Sequence, residues 1–100
     1  DIKGGLLRLS EAVFETISKL RETALTLGYG SAKALEKARE VEVAERTVDD
    51  LYRELEIKII NSRVEIPVLL LLRDITLFFE DAADKAEDAA DAARILAFAM

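Results

Sequence analysis

The 100-residue sequence contains no cysteine and no histidine. Without cysteine, the chain can form neither disulfides nor thiolate metal sites. Without histidine, it lacks a residue that zinc fingers, Ser-His-Asp triads and the His-containing di-iron motif of helical bundles require. Any metal site in this protein must therefore be built from oxygen ligands.

Proline and glycine are also scarce, with one and four residues, whereas 51% of the chain is hydrophobic. This composition favours helices, and 100 residues suffice for one domain with a buried core. The longest apolar run, residues 66–72, is much shorter than the about 20 residues that span a bilayer, so we expect no membrane span. The net charge is −6, and the Lys and Arg residues are scattered among acids, which argues against a nucleic-acid partner.

Apolar residues recur at intervals of three and four in three successive segments. This periodicity predicts an all-α, antiparallel up-down-up bundle of three long helices at about 3–27, 31–60 and 65–99, forming one domain over residues 1–100. Gly28 suits the end of the first helix, and Pro67 is tolerated in the first turn of the third. The residues predicted to face inward on the third helix are Val68, Leu71, Leu72, Ile75, Phe79, Ala82, Ala86, Ala89, Ala93 and Ala97.

The third helix contains the unit EDAAD twice, one heptad apart. On an α-helix Glu80, Asp84, Glu87 and Asp91 fall within roughly 60° of arc. Six acids lie between residues 80 and 91 beside the single Lys85, so this segment carries −5 of the net charge of −6. Acids three or four residues apart disfavour a helix by about 0.2–0.5 kcal/mol per pair. Water and salt can screen this repulsion, or a bound cation can remove it, and the sequence leaves both interpretations open.

The second helix has acids at matching heights. If the connection to the third helix is centred near residue 63, a residue of the second helix lies at the same height along the bundle as the residue of the third helix for which the two numbers add to about 126. This rule places Glu45 opposite residue 81 and Glu42 opposite residue 84. The acidic flanks of the two helices then either both line the shared groove or both point away from it, and the pattern does not choose. The six residues of the predicted metal site are Glu45, Asp49, Glu80, Asp84, Glu87 and Asp91.

A site made only of carboxylates prefers hard cations such as Mg²⁺, Ca²⁺, Mn²⁺ or ferric iron. Paired carboxylates can also act as general acid and base, but catalysis needs a pocket that excludes water. A narrow helical rod offers little of this kind, so we expect no enzymatic activity.

The segments AERTVDDLYREL at residues 44–55 and FFEDAADKAEDAADAARIL at residues 78–96 resemble the PhoU-like family, in particular its phosphate transport (Pit) accessory proteins. The Glu/Asp-x-x-x-Asp pattern of that family is matched from Glu45 to Asp49 and in both copies of EDAAD. Family members usually carry two tandem three-helix repeats, whereas this chain has one.

The resemblance implies a cytoplasmic, non-enzymatic protein that binds metal on its surface and regulates inorganic phosphate uptake. It would act at the inner face of the membrane through contact with a phosphate transporter or a sensor kinase. A second repeat, or a second copy of the chain in a homo-oligomer, would complete the usual pair. The alternative is a structural helical interaction module whose acidic face is solvated and binds no ligand.

Overall fold

The computed structural model describes all 100 residues and consists of three helices, α1 (Ile2–Thr26), α2 (Ser31–Ile60) and α3 (Ile66–Ala99). They form an antiparallel up-down-up rod of 53 × 18 × 15 Å. The predicted all-α bundle is confirmed, and the helix bounds differ from the predicted ones by at most one residue. No helix is both long enough and apolar enough to span a membrane.

The ends of the helices follow from local chemistry. The Asp1 carboxylate accepts a hydrogen bond of 2.6 Å from the backbone N–H of Gly4, which satisfies one of the free N–H groups at the start of α1. Gly28 and Gly30 have φ angles of 91° and 123°, in the region that favours glycine, and they turn the chain after α1. Pro67 lies in the first turn of α3, where its missing N–H leaves no hydrogen bond unmade.

The core is small, with 17 buried residues. Its larger cluster lies towards the α2–α3 connection and contains Leu9, Val13, Val48, Leu55, Ile59 and Ala83. A second cluster, of Ala38, Val41 and Ala90, lies towards the other end. Because alanine has a short side chain, the buried alanines of α3 allow its backbone to approach the other helices closely.

The predicted inward face of α3 is wrong in part. Leu71, Val68 and Ile75 are exposed, with 63% of Leu71 accessible, whereas Thr76 and Ala83, absent from the predicted face, are buried. The first half of α3 is apolar around more than half of its circumference, so the spacing alone was compatible with more than one rotation. The rotation observed places alanines, rather than the larger side chains, at the positions of closest helix approach.

An ion-pair network fills the outer groove between α1 and α2. The Lys19 ammonium lies 3.1 Å from a Glu40 carboxylate oxygen, and that of Lys37 lies 3.1 Å from Glu22. These pairs show which flank of α1 faces α2 and confirm that the two helices are antiparallel. The charged flank of α1 is thus partnered within the chain.

Candidate carboxylate cation site

The structure brings the acidic flanks of α2 and α3 into one groove. Burial raises the pKa of Glu45, and the negative charges of Glu87 and Asp84 on α3 raise it further. In the same way the charge of Asp49 on α2 contributes to raising the pKa of Glu80 on α3. Arg94 of α3 also lies 2.8 Å from Glu42 of α2, so the flanks line the shared groove, which the sequence pattern had left undecided.

The predicted levels of these residues are wrong. The Arg94 guanidinium lies 2.8 Å from a Glu42 carboxylate oxygen, so Glu42 pairs with a residue well beyond 84. Glu45 is electrostatically coupled to Asp84 and Glu87 rather than to residue 81, which shifts α3 by about one to two turns. The connection between the two helices is extended at Glu65, so the start of α3 is displaced along the rod from the end of α2.

Four of the six predicted ligands have no basic partner. Glu45, Glu80, Asp84 and Glu87 take part in no salt bridge, although α2 and α3 carry several arginines. Their negative charges therefore repel one another, and the charge of Arg46 offsets part of this repulsion at Glu45. We call these four residues the central acidic cluster.

The strongest effect within the central acidic cluster is on Glu80. Burial raises the pKa of Glu80 to about 7, helped by the charge of Asp84 and by a hydrogen bond between the two carboxyl groups. Burial likewise raises the pKa of Glu87, followed by the charge of Asp91. At neutral pH a proton on Glu80 thus neutralises part of the negative charge of the central acidic cluster, as a bound cation would.

The other two predicted ligands lie at the ends of the groove and are paired. Asp49 lies 3.2 Å from the Arg53 guanidinium, and Asp91 lies 3.6 Å from that of Arg94. The hydrogen bond from Arg94 to Glu42 also lowers the pKa of Glu42, so the end of the groove beyond Glu87 is compensated. The structure thus divides the predicted set into an unpaired centre and two paired ends.

The tightest group of oxygens includes a residue that the sequence argument missed. One carboxylate oxygen from each of Glu80, Asp81 and Asp84 lies within 4.8 Å of the others. Oxygens that bind one Mg²⁺ or Ca²⁺ at about 2.0–2.6 Å are at most about 4–5 Å apart, so the spacing fits such an ion. Asp81 was overlooked because its Cβ points about 100° away from that of Glu80, although it lies three residues from Asp84 and can reach it.

No protein-family model, curated protein or solved structure matches the chain. The resemblance to the PhoU-like family therefore stays a prediction.

Proposed function

We propose that this protein is a non-enzymatic regulatory protein whose α2–α3 groove binds a hard cation. The observation that supports the proposal best is the central acidic cluster, Glu45, Glu80, Asp84 and Glu87, in which carboxylates from two helices come together and none forms a salt bridge. Carboxylate oxygens are the only ligands that the cluster supplies, which favours Mg²⁺, Mn²⁺ or ferric iron. Asp81, within 4.8 Å of two of these residues, adds a further ligand.

Cation binding is favoured over acid-base catalysis by the form of the groove. A carboxyl group with a pKa near 7 can exchange a proton at neutral pH, as the Glu80 pKa allows. However, the groove runs along the outside of a rod 15–18 Å thick, and Asp81 is exposed at its margin. Such a surface does not exclude water around a substrate, whereas a hydrated cation can bind there.

The biological role that we propose is that of an accessory protein of inorganic phosphate transport in the cytoplasm. Support comes from the resemblance of residues 44–55 and 78–96 to PhoU-like proteins and from the common groove that these two segments line. The protein partner would be a membrane phosphate transporter or a sensor kinase at the inner face of the membrane. Cation occupancy would change the charge of the groove and thereby its affinity for such a partner.

Thermal unfolding of the wild type and of the double variant Glu80→Gln/Asp84→Asn tests the cation site. With a chelator present, the variant should have a higher melting temperature than the wild type, because the two substitutions remove repulsion between carboxylates. With Mg²⁺ or Mn²⁺ at about 100 times its dissociation constant, the wild type should gain about 2.7 kcal/mol. That gain corresponds to a rise in melting temperature of roughly 10 °C or more. The variant should lose most of this gain, so the order of the two melting temperatures reverses.

A matched control is Asp50→Asn/Glu54→Gln, which neutralises two exposed acids of α2 that form no salt bridge. It should leave the response to metal unchanged. Elemental analysis of protein purified without chelator tests for iron. If neutralising the cluster stabilises the chain equally with and without metal, and no metal copurifies, the acidic face is solvated and the protein is the ligand-free helical module.

A further inference from the structure

Two salt bridges join α2 to α3, and both run from an arginine of α3 to a glutamate of α2. The Arg94 guanidinium lies 2.8 Å from a Glu42 carboxylate oxygen, and that of Arg73 lies 3.7 Å from Glu56. The other salt bridges of the chain either lie within one helix or join α1 to α2. These two pairs are therefore the direct ionic contacts across the α2–α3 groove.

The two arginines lie on either side of the central acidic cluster. Arg73 precedes Glu80 by one heptad, and Arg94 follows Glu87 by one heptad. On an α-helix these positions fall within roughly 80° of arc, so both guanidinium groups and the carboxylates between them project from one flank of α3. The helix from Arg73 to Arg94 is about 31 Å long. One inter-helix salt bridge thus lies beyond each end of the cluster, whose own members form none.

Between the two bridges, α2 and α3 repel each other. Burial raises the pKa of Glu45 on α2, and the charges of Glu87 and Asp84 on the facing helix raise it further. The residues of α3 that are buried along this stretch are alanines, Ala83, Ala86 and Ala90. An alanine buries less apolar area than a leucine or an isoleucine, so each of these contacts contributes little to holding the helices together. The flanking salt bridges are therefore placed to oppose the repulsion.

The glutamates that receive the two arginines are themselves fixed on α2. Glu42 also pairs with Arg46, and the hydrogen bond from Arg94 contributes most to lowering the Glu42 pKa, so this carboxylate stays charged at neutral pH. Glu56 accepts a hydrogen bond of 3.0 Å from the Tyr52 hydroxyl. Each arginine of α3 therefore meets a carboxylate that a second contact orients, which defines the height and rotation of α3 against α2.

We propose that Arg73 and Arg94 are positioning residues that hold α2 against α3 on both sides of the central acidic cluster. Neither residue is a cation ligand, because a guanidinium group is positively charged and has no acceptor atom. They act on the cation site through the distance between Glu45 and the carboxylates of α3. The holding of the helices does not require a cation, whereas the effect on cation affinity rests on the proposed function.

Pulsed electron paramagnetic resonance tests the holding of the helices without any metal. The chain contains no cysteine, so spin labels can be attached at Asp50→Cys on α2 and Lys85→Cys on α3. Both positions are exposed, and neither forms a salt bridge. With a chelator present, Arg73→Gln/Arg94→Gln in the labelled chain should shift the distance between the labels to larger values and broaden its distribution.

A second pair of substitutions separates repulsion from a general loss of packing. Adding Glu80→Gln/Asp84→Asn to the chain that lacks both arginines should restore the shorter distance, because less charge then drives the helices apart. Arg94→Gln alone should give a smaller shift than the double substitution. It provides the same comparison with one bridge intact, if circular dichroism shows that the double variant loses helix content.

Calorimetric titration with Mn²⁺ tests the effect on the cation site. Removing a positive charge near carboxylates would by itself strengthen Mn²⁺ binding, whereas a loss of positioning weakens it. Arg73→Gln/Arg94→Gln should bind Mn²⁺ roughly tenfold or more weakly than the wild type, as is typical when residues that orient metal ligands are replaced. Arg73→Lys/Arg94→Lys should recover most of the affinity, because lysine keeps the charge of each pair.

The matched control is Arg53→Gln, which removes an arginine that pairs with Asp49 at 3.2 Å within α2. It should leave the label distance unchanged and should not weaken Mn²⁺ binding. An unchanged distance in Arg73→Gln/Arg94→Gln would overturn the proposal, as would Mn²⁺ binding to that variant as tight as to the wild type or tighter. If the distance increases but the wild type binds no Mn²⁺, the holding of the helices is supported and the proposed function is contradicted.

Discussion

The substitution Glu80→Gln should make the stability of this protein less dependent on pH. Between the ordinary glutamate pKa of 4.5 and the value of about 7 in the folded chain, Glu80 holds a proton when folded and not when unfolded. The folded state therefore binds more protons, so the free energy of unfolding falls as the pH rises through this window. Glutamine resembles the protonated carboxyl group and does not titrate.

The size of the effect follows from the pKa shift and from the exposure of the groove. A shift of this size corresponds to about 3 kcal/mol if the site were shielded from solvent. Because water and salt reach the groove and screen its charges, we expect about 1–2 kcal/mol. Glu80→Gln should thus match the wild type at a pH of about 4 and exceed its stability by this amount at a pH of about 8. The corresponding increase in melting temperature is roughly 4–15 °C.

The measurement is thermal unfolding followed by circular dichroism across this pH range, at low ionic strength and with a chelator. Glu54→Gln serves as the control, because Glu54 is an exposed glutamate of α2 in no salt bridge. Glu54→Gln should change the melting temperature by less than Glu80→Gln does, and this change should not show the same dependence on pH. A Glu80→Gln curve parallel to that of the wild type would contradict a raised pKa of Glu80, as would a variant less stable than the wild type at high pH.

Two further predictions concern packing and ion pairing. A Cβ at Gly5 would lie 2.7 Å from Cδ1 of the buried Leu55, so Gly5→Ala should destabilise the chain by about 1–3 kcal/mol in urea unfolding despite the better helix propensity of alanine. A Cβ at Gly4 would lie 2.7 Å from the capping carboxylate of Asp1 and 3.4 Å from Nη1 of Arg8; because both groups are at the ends of exposed side chains, Gly4→Ala should destabilise the chain less than Gly5→Ala, and equal effects of the two substitutions would contradict this expectation. Arg94→Gln removes the 2.8 Å contact with Glu42 and should lower the melting temperature slightly, an effect that shrinks as salt is added; a loss independent of salt would point to packing instead.

The helices were predictable to within one residue because their causes are local. The three- and four-residue spacing, Gly28 and Pro67 act within a few residues of the chain, and they mark the helices that the structure shows. The arc shared by Glu80 and Asp84 also follows from helix geometry alone. Local rules did not reveal that Asp81 joins them, because this depends on where its side chain turns.

The register between α2 and α3 was not predictable in the same way. The helix bounds agree with the predicted ones to within one residue, so the register depends on the path of the connection, which is extended at Glu65. The rotation of α3 was equally undetermined, because Leu71 and Ile75 are as apolar as the residues that became buried. Only the close approach of three helices selects which apolar stripe is covered.

Hydrophobic periodicity and charge position act within single helices, so the amino-acid sequence alone predicts three long helices with the negative charge concentrated on the third. The packing of the helices places Glu45 in one groove with Asp84 and Glu87, and it pairs Arg94 with Glu42 while these three acids form no salt bridge. It likewise decided that Phe14 and Phe78 stay exposed. These features depend on the rotation and sliding of whole helices against one another, which packing sets and local sequence does not encode.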